Sequence, residues 1–472
     1  MPAATKVAVE TLPAPTLSQR LAQFAQGFDL AAVPPDVVTT ARHCILDALG
    51  IGLAASTFEF ARRSTAGVVA LAGAGDHAVI GSGLRLPARD AALLNGLLIH
   101  GLDYDDTHTA SVVHASASAV PVLLAEGIRQ RASGARALAA YILAVETAAR
   151  LGQHAGGWWQ KVGFHPTGVV GVFGATLAAG YLQRADAAAL AHAQGIALSL
   201  ASGSMEFLED GAWTKRLHPG WAASSGITAA TLAAHGFEAP QRAYEGRFGL
   251  FASYLGAHAP PADADPLRTL GREWETGSVA IKPYPVCHYN HACGDAALLL
   301  RERHAIDFAD IAAVTVRLHP NQFPVVCEPL AAKRRPQSEY DAKFSLPYFV
   351  AACLVRGRFS LAELEDESRA DPRILALCDR IRCDVDPHSA FPQHFSGSIE
   401  IELRDGRRYR HAERVQRGAA ARPLAPAQII GKFMDNATLV LPASQAERLC
   451  SAVLGLDQAT DLGELCAALV PP

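Results

Sequence analysis

Positive charge is not in excess in this 472-residue sequence: 42 Lys and Arg stand against 46 Asp and Glu, for a formal net charge of −4. The long-range attraction that drives nucleic-acid binding is therefore missing, and nucleic acid is excluded as the main partner. Paired cysteines are lacking too. The nine present are odd in number, scattered and embedded in apolar helical patterns, as buried thiols of a reducing compartment are, and not as a disulfide framework is. Residues 1–15 contain one lysine, three prolines and no apolar core segment, so they form neither a secretory signal nor an Arg-rich transit peptide and read as a frayed tail. No run of about 18 apolar residues escapes interruption by charge, Gly, Pro or His, so no membrane span is expected and the chain is expected to be cytoplasmic. A Gly-x-Ser-x-Gly elbow and a P-loop are absent as well, which leaves no nucleotide site and no serine-hydrolase elbow.

What is present is apolar bulk: 50% of residues are hydrophobic and only 19% charged, enough for a large core, while the length calls for at least two structural units. Apolar residues recur at three- and four-residue spacing over 17–28, 35–55, 88–100, 119–130, 135–151, 168–182, 186–202, 220–235 and 240–248, which predicts one helix after another. The pattern changes after Gly271. Val314, Val316 and Leu318 alternate, as do Ile399, Ile401 and Leu403 ahead of an Asp405-Gly406 turn, and 380–385 is a further candidate strand. Helical patterns over 345–356 and 361–365 complete a small α+β unit, and helices return over 429–436, 443–454 and 462–469. The expected fold is mainly α: a large all-α helical domain built from both chain ends (1–272 and 415–472) with an inserted, smaller α+β lid domain (273–414).

Ionisable side chains gather in a few short segments. Asp103, Asp105, Asp106, Thr107 and His108 follow directly on an apolar helix, and carboxylates this close raise one another's pKa, a device for keeping an acid or base near neutral pH. A solvated helix-end loop with Asp as cap is the plain alternative. An Asp-x-Asp-x-Thr string is also a phosphatase signature of the haloacid dehalogenases, but there it follows a strand, and an Asp-x-Asp-Asp string serves terpene cyclases, but this chain is only 7% aromatic. His114 and His165 stand at helix starts, where the dipole favours the neutral imidazole and attracts a bound carboxylate; capping or packing would also place them there. Lys215, with Arg216 and His218, forms a cationic cluster between Gly211 and Gly220, ahead of a helix start and suited to a carboxylate. Lys282, Cys287, His288, His291 and Cys293 make the densest polar cluster. Zinc is weighed there and set behind proton chemistry by His291, with Lys282 neutralising an acid, because no second Cys/His pair accompanies it. Lys343, Ser345 and Tyr348 open a further helix and offer an ammonium and two hydroxyls, core packing being the alternative for Tyr348. Gly168, Gly171 and Gly174 follow no strand, so their spacing predicts close helix packing and not a phosphate cradle.

Taken in order, the segments Gly101–His108, Phe164–Pro166, Thr214–Gly220, Lys282–Pro285 with His291, and Asp341–Tyr348 resemble the MmgE/PrpD family over essentially the whole chain. The resemblance implies a helical domain from both chain ends, an inserted lid, a homodimer, and a cleft that works without metal or organic cofactor. It also implies catalytic Asp103, Thr107, His114, His165, His291 and Tyr348, and a substrate-binding Lys215, to which Lys282, Lys343 and Ser345 are added from their chemistry. Family members include 2-methylcitrate dehydratase, cis-aconitate decarboxylase and iminodisuccinate epimerase, whose shared step makes or quenches a carbanion beside a carboxylate. The expected activity is a dehydratase-type lyase acting on a small di- or tricarboxylate; an epimerase, a decarboxylase and a non-catalytic dimeric scaffold are the alternatives. His114 is followed by Ala115 where many relatives have proline, so the pocket loop is expected to differ in shape.

Overall fold

The computed structural model of the chain describes residues 14–261 and 263–472, so the expected tail over 1–15 lies almost wholly outside the described residues. Helices Pro35–Ala55, Ala88–His100, Ala115–Arg129, Gly134–His154, Pro166–Leu182, Ala187–Leu200 and Thr214–Ala234 form the main body, and Pro426–Ala437 and Ala443–Leu454 return to it from the C-terminal end. The fold is mainly α, as the three- and four-residue apolar spacing predicts. Pro166–Leu182 is buried along its whole length and is the central helix, apolar on every side because every side meets protein. Glycine lets its neighbours approach: a Cβ on Gly174 would stand 2.4 Å from the Ala144 carbonyl oxygen, and one on Gly168 would stand 2.4 Å from that of Ser202. The three-residue glycine spacing therefore serves helix packing, as expected.

Two sequence expectations change. Residues 240–248 form turns instead of a helix; Pro240 opens the segment, and Gly246 and Gly249 close it through hydrogen bonds to Arg242 O (3.0 Å) and Gly246 O (2.8 Å). The helix expected from Gly220 begins six residues earlier and runs through Pro219. Proline there removes the donor for the Lys215 carbonyl, and the gain is intimate packing, since a Cβ on Gly220 would fall 2.0 Å from Leu93 O. Pro35–Ala55 is long and apolar enough to cross a bilayer, but 78% of its apolar window is buried inside the protein, where it packs on Ala88–His100 and Pro426–Ala437.

Buried apolar residues fall into two clusters, one drawn from 21–281 together with 424–469, the other from 284–403. The second surrounds a four-stranded sheet in which Ile311–Leu318 lies parallel to Ile381–Val385 and antiparallel to Gly397–Leu403, which pairs with Arg408–Glu413. Val314, Val316, Leu318, Ile399, Ile401 and Leu403 point inward against helices His291–His304 and Leu346–Arg356, and Gly406 turns the hairpin with φ 89°. A two-residue ladder ties the acidic loop to the segment that leads into the second cluster: Thr107 pairs with Ala280 and His108 with Val279. That ladder carries the acidic loop of the helical body to the entrance of the α+β unit.

Candidate active site

The Ala88–His100 helix ends in a loop that turns at Asp103, whose φ of 52° is one that Asp tolerates better than most residues. The turn aims its carboxylate at two ammonium groups. Lys215 Nζ donates to Asp103 Oδ1 at 2.7 Å, and Lys282 Nζ lies 3.4 Å from the same oxygen while donating to the Asp103 carbonyl at 2.8 Å. Burial alone would raise the Asp103 pKa, but Lys215 and Lys282 outweigh it and hold the carboxyl well below the ordinary range. Two ammoniums face this one carboxylate, an arrangement that can also receive the carboxylate of an acid.

Behind Asp103, Asp105 Oδ2 is shared by His100 Nδ1 at 2.8 Å and His114 Nδ1 at 3.4 Å. Burial brings His100 down to about 4, so it is neutral and donates its Nδ1 proton to an ionised Asp105. Ligand-type atoms of His100, Asp105 and His114 lie within 4.8 Å of one another, the grouping with metal-like spacing among the described residues. The 2.8 Å contact inside it is a hydrogen bond, however, and the Lys215 charge acts against a further cation there. Asp106 turns the other way, into the core, where it accepts from Ser116 N at 3.3 Å and from Ser116 Oγ; burial, with Asp105 and Asp47 adding, pushes it up to about 7. Crowded carboxylates are thus driven apart as expected, but the raised one is a core group.

His114 and His165 cap Ala115–Arg129 and Pro166–Leu182 at their N-termini. The His114 backbone N–H donates to Thr167 Oγ1 at 3.1 Å, and His165 Nδ1 lies 3.0 Å from His218 Nδ1. Burial, with His100 and Lys215 nearby, holds His165 well below the usual histidine value. These groups border a cavity of about 310 Å³ whose wall comes from both units, including Asp103, Thr107, His114, His165, Lys215 and Lys282. Thr107 Oγ1 is buried there without a hydrogen-bond partner.

Four expected site residues do not border the cavity. His291 is fully buried behind His288, ring centroids 4.6 Å apart, and is bonded through Nε2 to Val286 O at 3.1 Å. Lys343 is buried 3.4 Å from Glu339, which also pairs with Arg216 at 2.8 Å, and burial lowers its ammonium to about 8. Ser345 caps Leu346–Arg356 by accepting from Tyr348 N at 3.1 Å, while Tyr348 sits in the second apolar cluster with its hydroxyl donating to Glu363 O at 2.5 Å. The segment placed them near the site, but helix phase turned them into the core of the α+β unit. Conversely, His288, Cys287, Phe207 and Phe395 border the cavity. His288 carries buried, unpartnered ring nitrogens, and burial pushes the Cys287 thiol up to about 11, so it is protonated. His288 stood in the same polar cluster as His291, and spacing alone could not say which of the two faces inward. His218 and the His100–Asp105 pair support the wall from behind.

Comparison with known proteins gives the family. Residues 19–262 match the MmgE/PrpD N-terminal domain and residues 284–458 the MmgE/PrpD C-terminal domain; the junction between the matches falls where the chain passes from the first apolar cluster to the second, and the C-terminal match runs on into 424–458, which returns to the first. The chain is 25% identical to the cis-aconitate decarboxylase-like protein oryM of Aspergillus oryzae over 98% of both chains. It is 27% identical to the cis-aconitate decarboxylase of Homo sapiens, covering 97% of this chain and 95% of that one. With the 2-methylcitrate dehydratase of Cupriavidus necator it shares 31% identity over 37% of each. These relatives are lyases of carboxylic acids, and with both family domains matched in order along it the chain belongs to the MmgE/PrpD family.

Proposed function

We propose that this chain is a cofactor-independent lyase that forms a carbanion next to a carboxylate, with a cis-aconitate-like unsaturated tricarboxylate as its substrate class. The observation that carries the reading is the cavity itself: Lys215 and Lys282 converge on Asp103, and the imidazoles of His114 and His165 share the same wall. The ammoniums hold substrate carboxylates and stabilise enediolate-like charge as it develops. A neutral imidazole beside them takes a proton or returns one to carbon. In decarboxylation, the carbon–carbon bond breaks, carbon dioxide leaves with no electron pair, and the carbanion collects a proton from an imidazolium or an N–H tautomer. Decarboxylation leads because the similarity to cis-aconitate decarboxylases extends over nearly the whole chain.

Dehydration of a 2-methylcitrate-like hydroxy acid is the second reading, supported by the 31% identity to a 2-methylcitrate dehydratase; it uses the same carbanion and adds protonation of the departing hydroxyl. The test is incubation of chelator-treated protein with cis-aconitate, 2-methylcitrate, citrate and iminodisuccinate in deuterated water, followed by proton NMR. Itaconate or its isomer from cis-aconitate supports the first reading, and alkene formation from 2-methylcitrate supports the second. Deuterium exchange alone makes the protein an epimerase, and loss of all turnover on chelation overturns the cofactor-independent reading.

A further inference from the structure

His165 and His218 approach each other nitrogen to nitrogen through their Nδ1 atoms, 3.0 Å apart. A hydrogen bond between two neutral imidazoles needs one proton between two nitrogens, so only one of the two Nδ1 atoms carries it. His165 borders the cavity, and with Nδ1 committed to His218 its remaining nitrogen, Nε2, is the one that faces substrate. We infer that His218 is a positioning residue that sets, through this shared proton, whether His165 meets substrate as a base or as an acid; this rests on the proton-transfer role given to His165 above.

The tautomers are linked. When His165 donates from Nδ1, its Nε2 has a free lone pair and is a base. When His218 donates, His165 Nδ1 accepts and Nε2 carries hydrogen, so His165 is an acid. One turnover step converts one form into the other with protons balanced: Nε2 takes a proton from substrate, the Nδ1 proton passes to His218 Nδ1, and His218 releases its own Nε2 proton toward solvent. His218 is half-buried where His165 is buried, which suits it to the outer position. Phe207 packs against both rings, at 6.1 and 6.0 Å between centroids. Charged and titratable groups facing the pair are Lys215, His100 and His114; burial comes first and they add to it in holding His165 uncharged, and burial brings His218 to about 4. Both rings are therefore neutral at pH 7, the state in which a shared proton defines two tautomers.

The experiment is long-range ¹H–¹⁵N NMR of the full-length, ¹⁵N-histidine-labelled protein at pH 7, with kinetics on cis-aconitate and 2-methylcitrate. Wild-type protein is expected to show His165 and His218 in opposite tautomers. His218→Phe keeps the ring volume but has no Nδ1; it is expected to lower kcat by about tenfold or more with KM within about twofold. His218→Asn, whose amide reaches the Nδ1 position, is expected to recover part of kcat and to shift the pH profile of kcat. Both rings in the same tautomer, or kcat unchanged in His218→Phe, overturns the inference. Should neither acid turn over, the functional reading fails, while the NMR of wild type still decides the tautomer pairing.

Discussion

Lys432 Nζ lies 2.8 Å from the carbonyl oxygen of Lys282, so a cation from the C-terminal helix holds the backbone of a cation in the cavity wall. It also donates to Tyr104 O at 3.0 Å and meets Asp47 at 2.7 Å. One buried ammonium thereby fixes both sides of the Asp103–Lys282 contact. Lys432→Met leaves two carbonyls and a buried carboxylate without their partner, and is expected to cost about 3–5 kcal/mol, read from urea unfolding. A loss under about 1 kcal/mol would show that Lys432 is dispensable to the fold.

The role proposed for Lys215 is to hold a substrate carboxylate. Removing a charged hydrogen-bond donor costs about 1.5–3 kcal/mol, so Lys215→Met is expected to raise KM for a tricarboxylate by about 10- to 100-fold. Isothermal titration with a non-reacting tricarboxylate checks the same loss without turnover.

Tyr348 separates a core role from a catalytic one. Its hydroxyl bonds a backbone carbonyl and the side chain is fully buried, so Tyr348→Phe is expected to lose about 1 kcal/mol of stability with kcat/KM within about twofold. A tenfold fall in kcat at unchanged stability would restore it to the site.

The pH dependence has two opposing parts. His100 is brought down to about 4 by burial. A histidine below its unfolded value of about 6.5 contributes stability above that pH and loses it as pH falls toward 4, because the unfolded chain binds the proton the native state refuses. Wild-type stability relative to His100→Gln is therefore expected to fall between pH 6.5 and 4, by on the order of 3 kcal/mol. Asp106, raised to about 7 by burial, acts in the other direction: its contribution is full below the unfolded value near 4 and is lost as pH rises through 7. Asp106→Asn is expected to gain on wild type over that range, with thermal melts at four pH values as the check.

We propose that the chain is a homodimer and that Trp213, Leu217 and Trp221 mark its interface. They stand four residues apart along and just before one helix, each about two-fifths exposed, a stripe a second copy would cover. Light scattering is expected to give twice the chain mass for wild type and a monomer for the Leu217→Asp, Trp221→Asp double variant; an unchanged mass would place the interface elsewhere.

Much of this arrangement is legible in the sequence because helix and strand periodicities report burial directly. The apolar spacing of 35–55, 88–100 and 168–182 and the alternation at Val314–Leu318 and Ile399–Leu403 reappear as helices and strands. The extra turn before Gly220 was not legible because it carries no apolar spacing, and the close contact of Gly220 with Leu93 that accommodates Pro219 joins distant elements. Asp103, His114, His165 and Lys215 border the cavity from helix ends or loop turns, and Thr107 and Lys282 from the short ladder and the residues just after it, places where charged and polar residue types have few structural reasons to gather.

By itself the sequence determined the mainly helical class, the family and the short segments from which the cavity is built, since these follow from local pattern and from motif order. Only the tertiary structure decided which residues of those segments look inward. His288 faces the cavity while His291 is turned behind it, Tyr348 and Ser345 support the core, and His218 meets His165. Facing is set by helix phase and by the packing of two units against each other, and those depend on contacts between residues more than a hundred positions apart, such as Lys215 with Asp103 and Lys432 with Lys282.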